Sequence, residues 1–279
     1  MKRSGVLGKL GHLAGVVALS LIMLVPLYLL VINSFKSDAE IRLSAFALPG
    51  DFTFDYIVGA ATDPKFNMLK AYAVTLFLVV VVNILSILVT GPAAYAIARG
   101  RGMAYRAIML LLLGALFIPG QVTLIPLIYV LRTLGLMHTL PGLFLTSTGA
   151  TIPTTVFLFS AYIKSIPRDL DESAKLDGAG RYRTFWQIIF PIMKPAVATA
   201  MVLNVVGIWV DFLGPRIILG PGSNVRTVTT GVYAYITKYD TDFSKVYPTM
   251  LLAVAPVLIF YVLLQKRIIG GLAAGAIKG

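Results

Sequence analysis

Between Lys70 and Arg99 the chain reads AYAVTLFLVVVVNILSILVTGPAAYAIA, 28 residues without a charged side chain. A helix needs about 20 predominantly apolar residues to cross the hydrocarbon core of a bilayer. The rest of the chain has the same character, because 58% of its 279 residues are hydrophobic and only 13% are charged. Soluble domains have about 25% charged residues. The composition therefore excludes a soluble domain and predicts an all-α membrane protein.

Charge-free windows predict six transmembrane helices. Five windows contain 20 or more residues, and the sixth, between Lys194 and Asp211, contains 16 but continues as apolar sequence to Leu219. The predicted spans are residues 11–33, 72–98, 107–131, 141–163, 196–219 and 246–266. Three basic residues precede the first span, as in a signal peptide. Its apolar run is too long for a signal-peptide core, so we interpret it as an uncleaved helix.

Six spans place both termini on one side of the membrane, and the basic residues predict which side. If the termini and residues 99–106 and 164–194 are cytoplasmic, 15 of the 24 Lys and Arg residues lie inside, against 4 of the 12 acidic residues. Cytoplasmic loops of membrane proteins are enriched in Lys and Arg. We therefore expect a multi-pass protein of the cytoplasmic (inner) membrane with both termini inside. The net charge of +12 reflects this topology and the lipid bilayer, not a nucleic-acid interface.

The residue inventory excludes several classes of chemistry. The chain has no cysteine, two histidines and 12 acidic residues that are spread along the sequence. Disulfides, thiolate metal sites and cysteine nucleophiles are therefore excluded, and we expect no catalytic residue and no metal site. No G-x4-G-K-[ST] motif occurs, so we expect this chain to bind no ATP through a P-loop. Asp177-Gly178 is similar to the start of the lipid-head-group transferase motif, but the next acidic residue, Asp211, is too distant to complete it.

Residues 164–195 are too polar to cross a membrane, and they connect predicted spans four and five. Pro167 and the acidic residues after it favour the first turn of a short helix, and Asp177-Gly178 is a turn signal. A second short helix is predicted to run to Pro191. The loop also carries apolar side chains that favour docking into a partner's groove: Leu170, Leu176, Tyr182, Phe185 and Trp186. The alternative is an ordinary solvated loop.

The sequence Glu172-Ser173-Ala174-Lys175-Leu176-Asp177-Gly178-Ala179, followed by Phe185, Pro191 and Pro195, resembles the E-A-A loop of ATP-binding-cassette (ABC) importer permeases. The chain is most similar to the carbohydrate-uptake branch, the relatives of the maltose permease subunits. Other stretches resemble this branch in order along nearly the whole chain: Ser34-Phe35-Lys36, Ala94-Tyr95-Ala96-x-Ala98-Arg99, Ile118 to Pro126, Leu134-Gly135-Leu136 and Gly271 to Gly279. The departures from the branch pattern are Ser173, Ala73-Val74 and Val210.

The resemblance implies a type I importer permease, with six transmembrane helices and a cytoplasmic coupling-helix loop. It implies an N-terminal helix with an extracytoplasmic segment (1–70), a permease core (71–268) that contains the coupling loop (164–195), and a cytoplasmic tail (269–279). The implied function is ATP-driven, binding-protein-dependent import of a sugar or oligosaccharide. The implied partners are a second homologous permease subunit, two ATPase subunits that hold ATP and Mg²⁺, and an extracytoplasmic solute-binding protein.

In this interpretation the coupling loop contacts the ATPases, and the C-terminal tail is a second candidate contact. We expect Gly178 to adopt a positive φ. Glu172 and Asp177 would supply polar anchoring, and Leu176 and Phe185 the buried apolar contact. Two alternatives stay open. One is a permease for a non-sugar solute, and the other is a secondary transporter, which would need more intramembrane ionisable residues than Asp211 alone.

Polar residues within the spans are candidates for the substrate pathway. Charged residues in a bilayer usually have a function, and Asp211 shares a helical face with Asn204, while Trp209 could stack on a sugar. The remaining candidates are Asn83, Ser86 and Thr90 in span two, Thr151 in span four, and Gln121 between two prolines of span three. Each has an alternative: pairing of Asp211 with Arg216 or Lys238, helix packing by the hydroxyl-bearing residues, and a simple kink at Gln121.

Overall fold

The computed structural model describes residues 6–220, 222–236 and 241–276. These ranges are helical apart from turns and one isolated β-bridge between Ile236 and Thr241. The helices are α1 (Val6–Asn33), α2 (Asp38–Leu43), α3 (Asp55–Thr62), α4 (Met68–Arg99), α5 (Met103–Leu116), α6 (Gly120–Thr133), α7 (Leu140–Ser165), α8 (Asp169–Leu176), α9 (Arg181–Thr184), α10 (Phe190–Ile192), α11 (Lys194–Val210), α12 (Leu213–Leu219) and α13 (Phe243–Ala276). A π-helical turn (Phe185–Ile189) joins α9 to α10, and a 3₁₀ segment (Val228–Ala234) precedes α13.

The helices that could cross a membrane agree with the predicted spans in four cases. Within the described ranges, Gly11–Asn33, Met68–Arg99, Leu140–Ser165 and Phe243–Leu263 are each long and apolar enough to span a bilayer. Two bent pairs of helices are further candidates for spans or re-entrant loops. The first pair is α5 and α6, bent by 109°, and the second is Arg181–Ile192 with α11, bent by 79°.

The predicted third span, residues 107–131, is interrupted next to the first of its two prolines. The helix ends at Leu116 and a new one begins at Gly120. Proline disfavours helical geometry at the residue before it, so Pro119 ends the first helix at this point. Pro126, in contrast, lies inside α6 without ending it.

The predicted fifth span, residues 196–219, is also interrupted. Helix α11 ends at Val210, and Asp211 adopts an extended conformation with ψ 117°. One carboxylate oxygen of Asp211 accepts a hydrogen bond from the backbone N–H of Gly214 at 3.1 Å. This bond satisfies a donor in the first turn of α12. Asp211 therefore lies at a helix break, and residues 213–219 form a separate helix.

The chain divides into two units, which are described separately. The first contains the chain up to residue 69 together with residues 230–256, and the second contains residues 70–229 together with the chain from residue 257 onwards. In the second unit, buried side chains of α4, α7, α11 and the loop between α7 and α11 form one core. Its members are Ala94, Tyr95, Ala98, Val156, Phe159, Ile163, Ile166, Phe185, Ile189, Met193, Ala196 and Ala200.

In the first unit, polar contacts hold the segment after α1 against the start of α13. Asp38 accepts hydrogen bonds from the side chain of Arg42 and from the backbone N–H of Phe243, the latter at 2.9 Å. The guanidinium of Arg42 also lies over the Phe243 ring, 5.2 Å from its centroid. Lys245 donates to Asp63, whose side chain is only 3% exposed. These contacts fix the segment after α1 in addition to its buried apolar residues Ile41, Ala60 and Phe66.

The charge of Asp63 depends on competing effects. Burial raises the pKa of Asp63, but the hydrogen bond from Lys245 and the backbone hydrogen bond from Lys65 outweigh it, so the pKa of this carboxyl is below its ordinary value. A carboxyl group with a lowered folded-state pKa contributes stability above its unfolded pKa of about 4. That contribution is lost as the pH falls through the folded pKa.

We predict that Asp63→Asn lowers the free energy of unfolding at pH 7 by about 1 kcal/mol, because it removes the charge that Lys245 contacts. The measurement is thermal unfolding of the purified protein in detergent, at neutral pH and at a series of pH values below 4. The difference in unfolding temperature between Asp63→Asn and the wild type should become smaller as the pH falls, since Asp63 of the wild type then becomes protonated in the folded as well as the unfolded state. Asp51→Asn, at an exposed position, is the matched control. Equal unfolding temperatures for Asp63→Asn and wild type at pH 7 would contradict the prediction.

Candidate functional site: a coupling loop and an intramembrane cavity

The loop between α7 and α11 forms two short helices that meet at a glycine corner. Helix α8 carries three acidic residues in its first turn, where the helix dipole favours negative charge. At its end, the N–H of Ala179 bonds to the carbonyl oxygen of Ala174 at 2.9 Å, and the N–H of Gly178 bonds to that of Lys175 at 3.1 Å. This pattern is a Schellman motif, which requires a left-handed residue. Gly178 has φ 77°, so the predicted positive φ is confirmed.

The tip of the loop exposes an apolar side chain among charged ones. Leu176, the last residue of α8, is 89% exposed, and Tyr182 on the following helix is exposed as well. Glu172, Ser173 and Asp177 also lie on the exposed surface. Of the residues predicted to contact a partner, Glu172, Leu176, Asp177 and Gly178 therefore share one accessible surface, which we call the loop tip. Pro191 is exposed further along the loop, in α10.

Phe185 does not belong to the loop tip, and the prediction that it supplies contact area to a partner is wrong. Its side chain is 1% exposed and lies in the core of the second unit. The ring contacts α4 at Gly91, where an added Cβ would lie 2.9 Å from the ring. It also packs against Tyr95, with ring centroids 5.5 Å apart. The apolar stripe of the second short helix faces the chain's own core, so Phe185 fixes the loop from within. Ala174 is likewise buried.

A polar contact also joins the loop to α4. The hydroxyl of Tyr95 donates to one carboxylate oxygen of Asp171 at 2.5 Å, and Arg99 Nη2 lies 2.8 Å from the other. Arg99 Nη2 also donates to the carbonyl oxygen of Ile166 at 3.1 Å. Sequence reasoning did not predict this contact. Asp171 was assigned only a helix-dipole role, although Tyr95 and Arg99 are four residues apart and therefore share one face of α4.

A cavity of about 420 Å³ lies between α7 and α11. Three of the predicted pathway residues line it together: Thr151, Asn204 and Asp211. The other lining residues are Ser147, Ala150, Thr154, Leu203, Gly207 and Ile208. The side-chain nitrogen of Asn204 is buried and has no hydrogen-bond partner among the described residues. The cavity is therefore lined by residues with uncharged polar groups and by one carboxylate.

Four other pathway candidates do not line this cavity. Asn83, Ser86 and Thr90 are buried in α4, where Asn83 and Thr90 donate to backbone carbonyl oxygens one turn earlier. Ser86 Oγ lies 2.9 Å from Thr151 Oγ1 on α7, a contact between packed helices. Trp209 is buried and packs near Tyr72, with ring centroids 6.2 Å apart. For Ser86 and Thr90 the geometry favours the helix-packing alternative, and Asn83 and Trp209 are likewise buried away from this cavity.

The last candidate, Gln121, stands at a helix interruption, as the cavity residue Asp211 also does. Gln121 is exposed in the first turn of α6, directly after the break at Pro119. The backbone carbonyl oxygen of Asp211 accepts a hydrogen bond from Thr229 Oγ1 at 2.8 Å, which holds the chain at the second break. Lys238, considered as a charge partner of Asp211, lies outside the described residues.

Comparison with known proteins identifies the family. Residues 89–269, which include the loop and the cavity, match the family model described as binding-protein-dependent transport system inner membrane component. The chain belongs to this family. The permease is 33% identical to the diacetylchitobiose uptake system permease protein of Streptomyces coelicolor over 261 residues, covering 93% of this chain and 85% of that protein. It is 34% identical to the multiple sugar-binding transport system permease protein of Streptococcus mutans, and the match covers 92% of this chain and 93% of that protein.

A solved structure supports the architecture of the permease. A chain of a bacterial ABC transporter involved in the import of alginate superimposes with a TM-score of 0.78, covering 95% of this chain and 99% of that one at 21% identity. The predicted family and the predicted type I permease fold are therefore confirmed. The family consists of transport components of the inner membrane, which also confirms the predicted membrane location.

Proposed function

We propose that this permease is one subunit of an ATP-driven importer for a sugar or oligosaccharide. Relatives named for uptake of diacetylchitobiose, of multiple sugars and of melibiose, raffinose and stachyose cover more than nine tenths of the chain, which supports a carbohydrate substrate. The exposed loop tip on a base that is fixed in the core is the observation that carries the coupling role. The polar residues that line the cavity supply hydrogen-bonding groups for the substrate.

The proposal assigns a role to each subunit of the importer. A second, homologous permease subunit completes the pathway, and two ATPase subunits bind ATP and Mg²⁺ and undergo the motion that drives transport. An extracytoplasmic binding protein delivers the substrate on the side of the membrane that carries residues 36–70. Both termini lie in the cytoplasm, as the excess of basic residues on that side favours.

The loop tip has the composition of a docking surface. An 89% exposed leucine at the end of a helix leaves apolar area in water, and burying it in a partner would be favourable by the hydrophobic effect. The exposed carboxylates of Glu172 and Asp177 flank it and favour a partner groove with basic residues at its rim. The absence of a side chain at Gly178 lets the corner approach another protein closely.

We predict that Leu176→Glu and Gly178→Asp reduce co-purification of the ATPase subunits about tenfold or more, because each places a charge in a buried contact. ATP-dependent uptake in reconstituted vesicles should fall in parallel. Membrane insertion should stay normal, because the loop tip lies outside the spans.

The matched control is Leu43→Glu, which adds the same charge at an 87% exposed leucine in the first unit. This variant should retain the ATPase subunits. If Leu176→Glu and Gly178→Asp also retain them at wild-type levels and support normal uptake, the loop tip is not the ATPase contact.

The cavity suits a neutral polyol better than an ion. Hydroxyl groups of a sugar need both donors and acceptors, and Asn204, Thr151 and Asp211 provide both around one space. The amide nitrogen of Asn204 is buried without a partner among the described residues, which is costly unless another group accepts its hydrogen bond. If the Asn204 side chain turns towards the cavity, a sugar hydroxyl that passes through it supplies that acceptor.

We predict that Asn204→Ala lowers uptake up to about tenfold, the effect of losing one hydrogen bond to substrate, while the complex still purifies whole. Transport of radiolabelled sugar into vesicles and co-purification are measured on the same preparations. Met201→Ala, at an exposed position on the same helix that does not line the cavity, should transport normally. Loss of the assembled complex in Asn204→Ala would show that Asn204 acts in packing instead.

A further inference from the structure

The coupling loop is attached to α4 at two separate points. The first is the apolar contact of Phe185 with Gly91 and Tyr95. The second is the polar contact of Asp171 with Tyr95 and Arg99, one turn further along α4. The two points hold different halves of the loop, because Phe185 follows the Gly178 corner and Asp171 precedes it.

The polar contact is largely shielded from water. The side chains of Arg99 and Asp171 are 14% and 19% exposed. One carboxylate oxygen of Asp171 accepts the hydrogen bond of the Tyr95 hydroxyl, and the other forms an ion pair with Arg99 without a well-aligned hydrogen bond. Exposed ion pairs contribute little to stability because water screens them. Removal of one partner of a buried pair, in contrast, is destabilising because the other charge is left uncompensated. The contact therefore resists separation of α8 from α4.

Helix α8 needs such a contact to keep its direction. It has only eight residues and lies between Pro167 on one side and the Gly178 corner on the other. A helix this short is marginal without packing, and glycine is the residue that least restricts a turn. Asp171 fixes the helix near its N-terminal end, while Leu176 projects from its C-terminal end.

We infer that Asp171 is a positioning residue that transmits displacement of the loop tip to α4. A push on Leu176 then acts on α4 through Asp171 and Arg99, in addition to acting on α11 through the continuous chain. Helices α7 and α11 line the cavity, and α4 contacts α7 at Ser86 and Thr151. A displacement of the loop tip that passes through either α4 or α11 therefore reaches a helix that lines the cavity. This inference rests on the proposed function, because it requires an ATPase that pushes on the loop tip.

The test separates docking from transmission in the reconstituted complex with its ATPase subunits and binding protein. Asp171→Asn removes the charge, and Tyr95→Phe removes one donor but keeps the ring that Phe185 contacts. The quantities measured are co-purification of the ATPases, the rate of ATP hydrolysis, and substrate molecules imported per ATP hydrolysed. We expect Asp171→Asn to retain the ATPases and to hydrolyse ATP, but to import about tenfold less substrate per ATP, within the usual range of coupling between sites. Tyr95→Phe should reduce this ratio by a smaller factor.

Two further variants complete the experiment. Asp171→Glu keeps the charge and both carboxylate oxygens. It should therefore import nearly as much substrate per ATP hydrolysed as the wild type. Asp169→Asn removes an exposed carboxylate from the same helix and should behave as wild type. If Asp171→Asn fails to assemble, the ratio in Tyr95→Phe decides the question.

The inference is overturned if the ratio of import to hydrolysis is unchanged in the assembled variants. It is also overturned if Asp169→Asn lowers the ratio as much as Asp171→Asn does. Failure of the proposed function has a different signature, because the wild-type chain would then show neither ATPase co-purification nor ATP-dependent import.

Discussion

The contact between the Phe185 ring and Gly91 of α4 fixes the position of the loop between α7 and α11 on the core of its unit. Glycine at this position lets the ring approach the helix backbone, and even a single added carbon would lie 2.9 Å from it. With Phe185 buried, the rest of the loop is held at the end of the core and Leu176 is directed outwards. The loop is fixed at its base by packing inside the same unit, as its proposed role in transmitting motion requires.

Two interrupted helices give the permease its irregular backbone. Inside a membrane, non-helical backbone is tolerated only where protein or a water-filled cavity surrounds it. The second interruption conforms to this rule, because Asp211 ends α11, caps the start of α12 and also lines the cavity with Asn204. The same carboxylate therefore stabilises the break and places a polar group in the wall of the cavity.

Sequence reasoning succeeded where local chemistry decides the structure. The long apolar runs, the glycine corner at Gly178 and the polarity of the loop are each properties of a few neighbouring residues. It failed where tertiary contacts decide. The amphipathic second helix gave no indication that Phe185 faces the chain's own core, and two prolines in one span gave no indication that only Pro119 ends a helix. For Ser86 the sequence left both the pathway and helix packing open, and only its contact with Thr151 favours packing.

The most direct test of this account is the accessibility of the loop tip in assembled and unassembled permease. The chain has no cysteine, so Leu176→Cys in inverted membrane vesicles reports on one position. A membrane-impermeant maleimide should label Leu176→Cys when the permease is expressed without its ATPases, and labelling should be lost when they are co-expressed. Leu43→Cys should stay unlabelled in both preparations. Equal labelling of Leu176→Cys with and without the ATPase subunits would contradict the account.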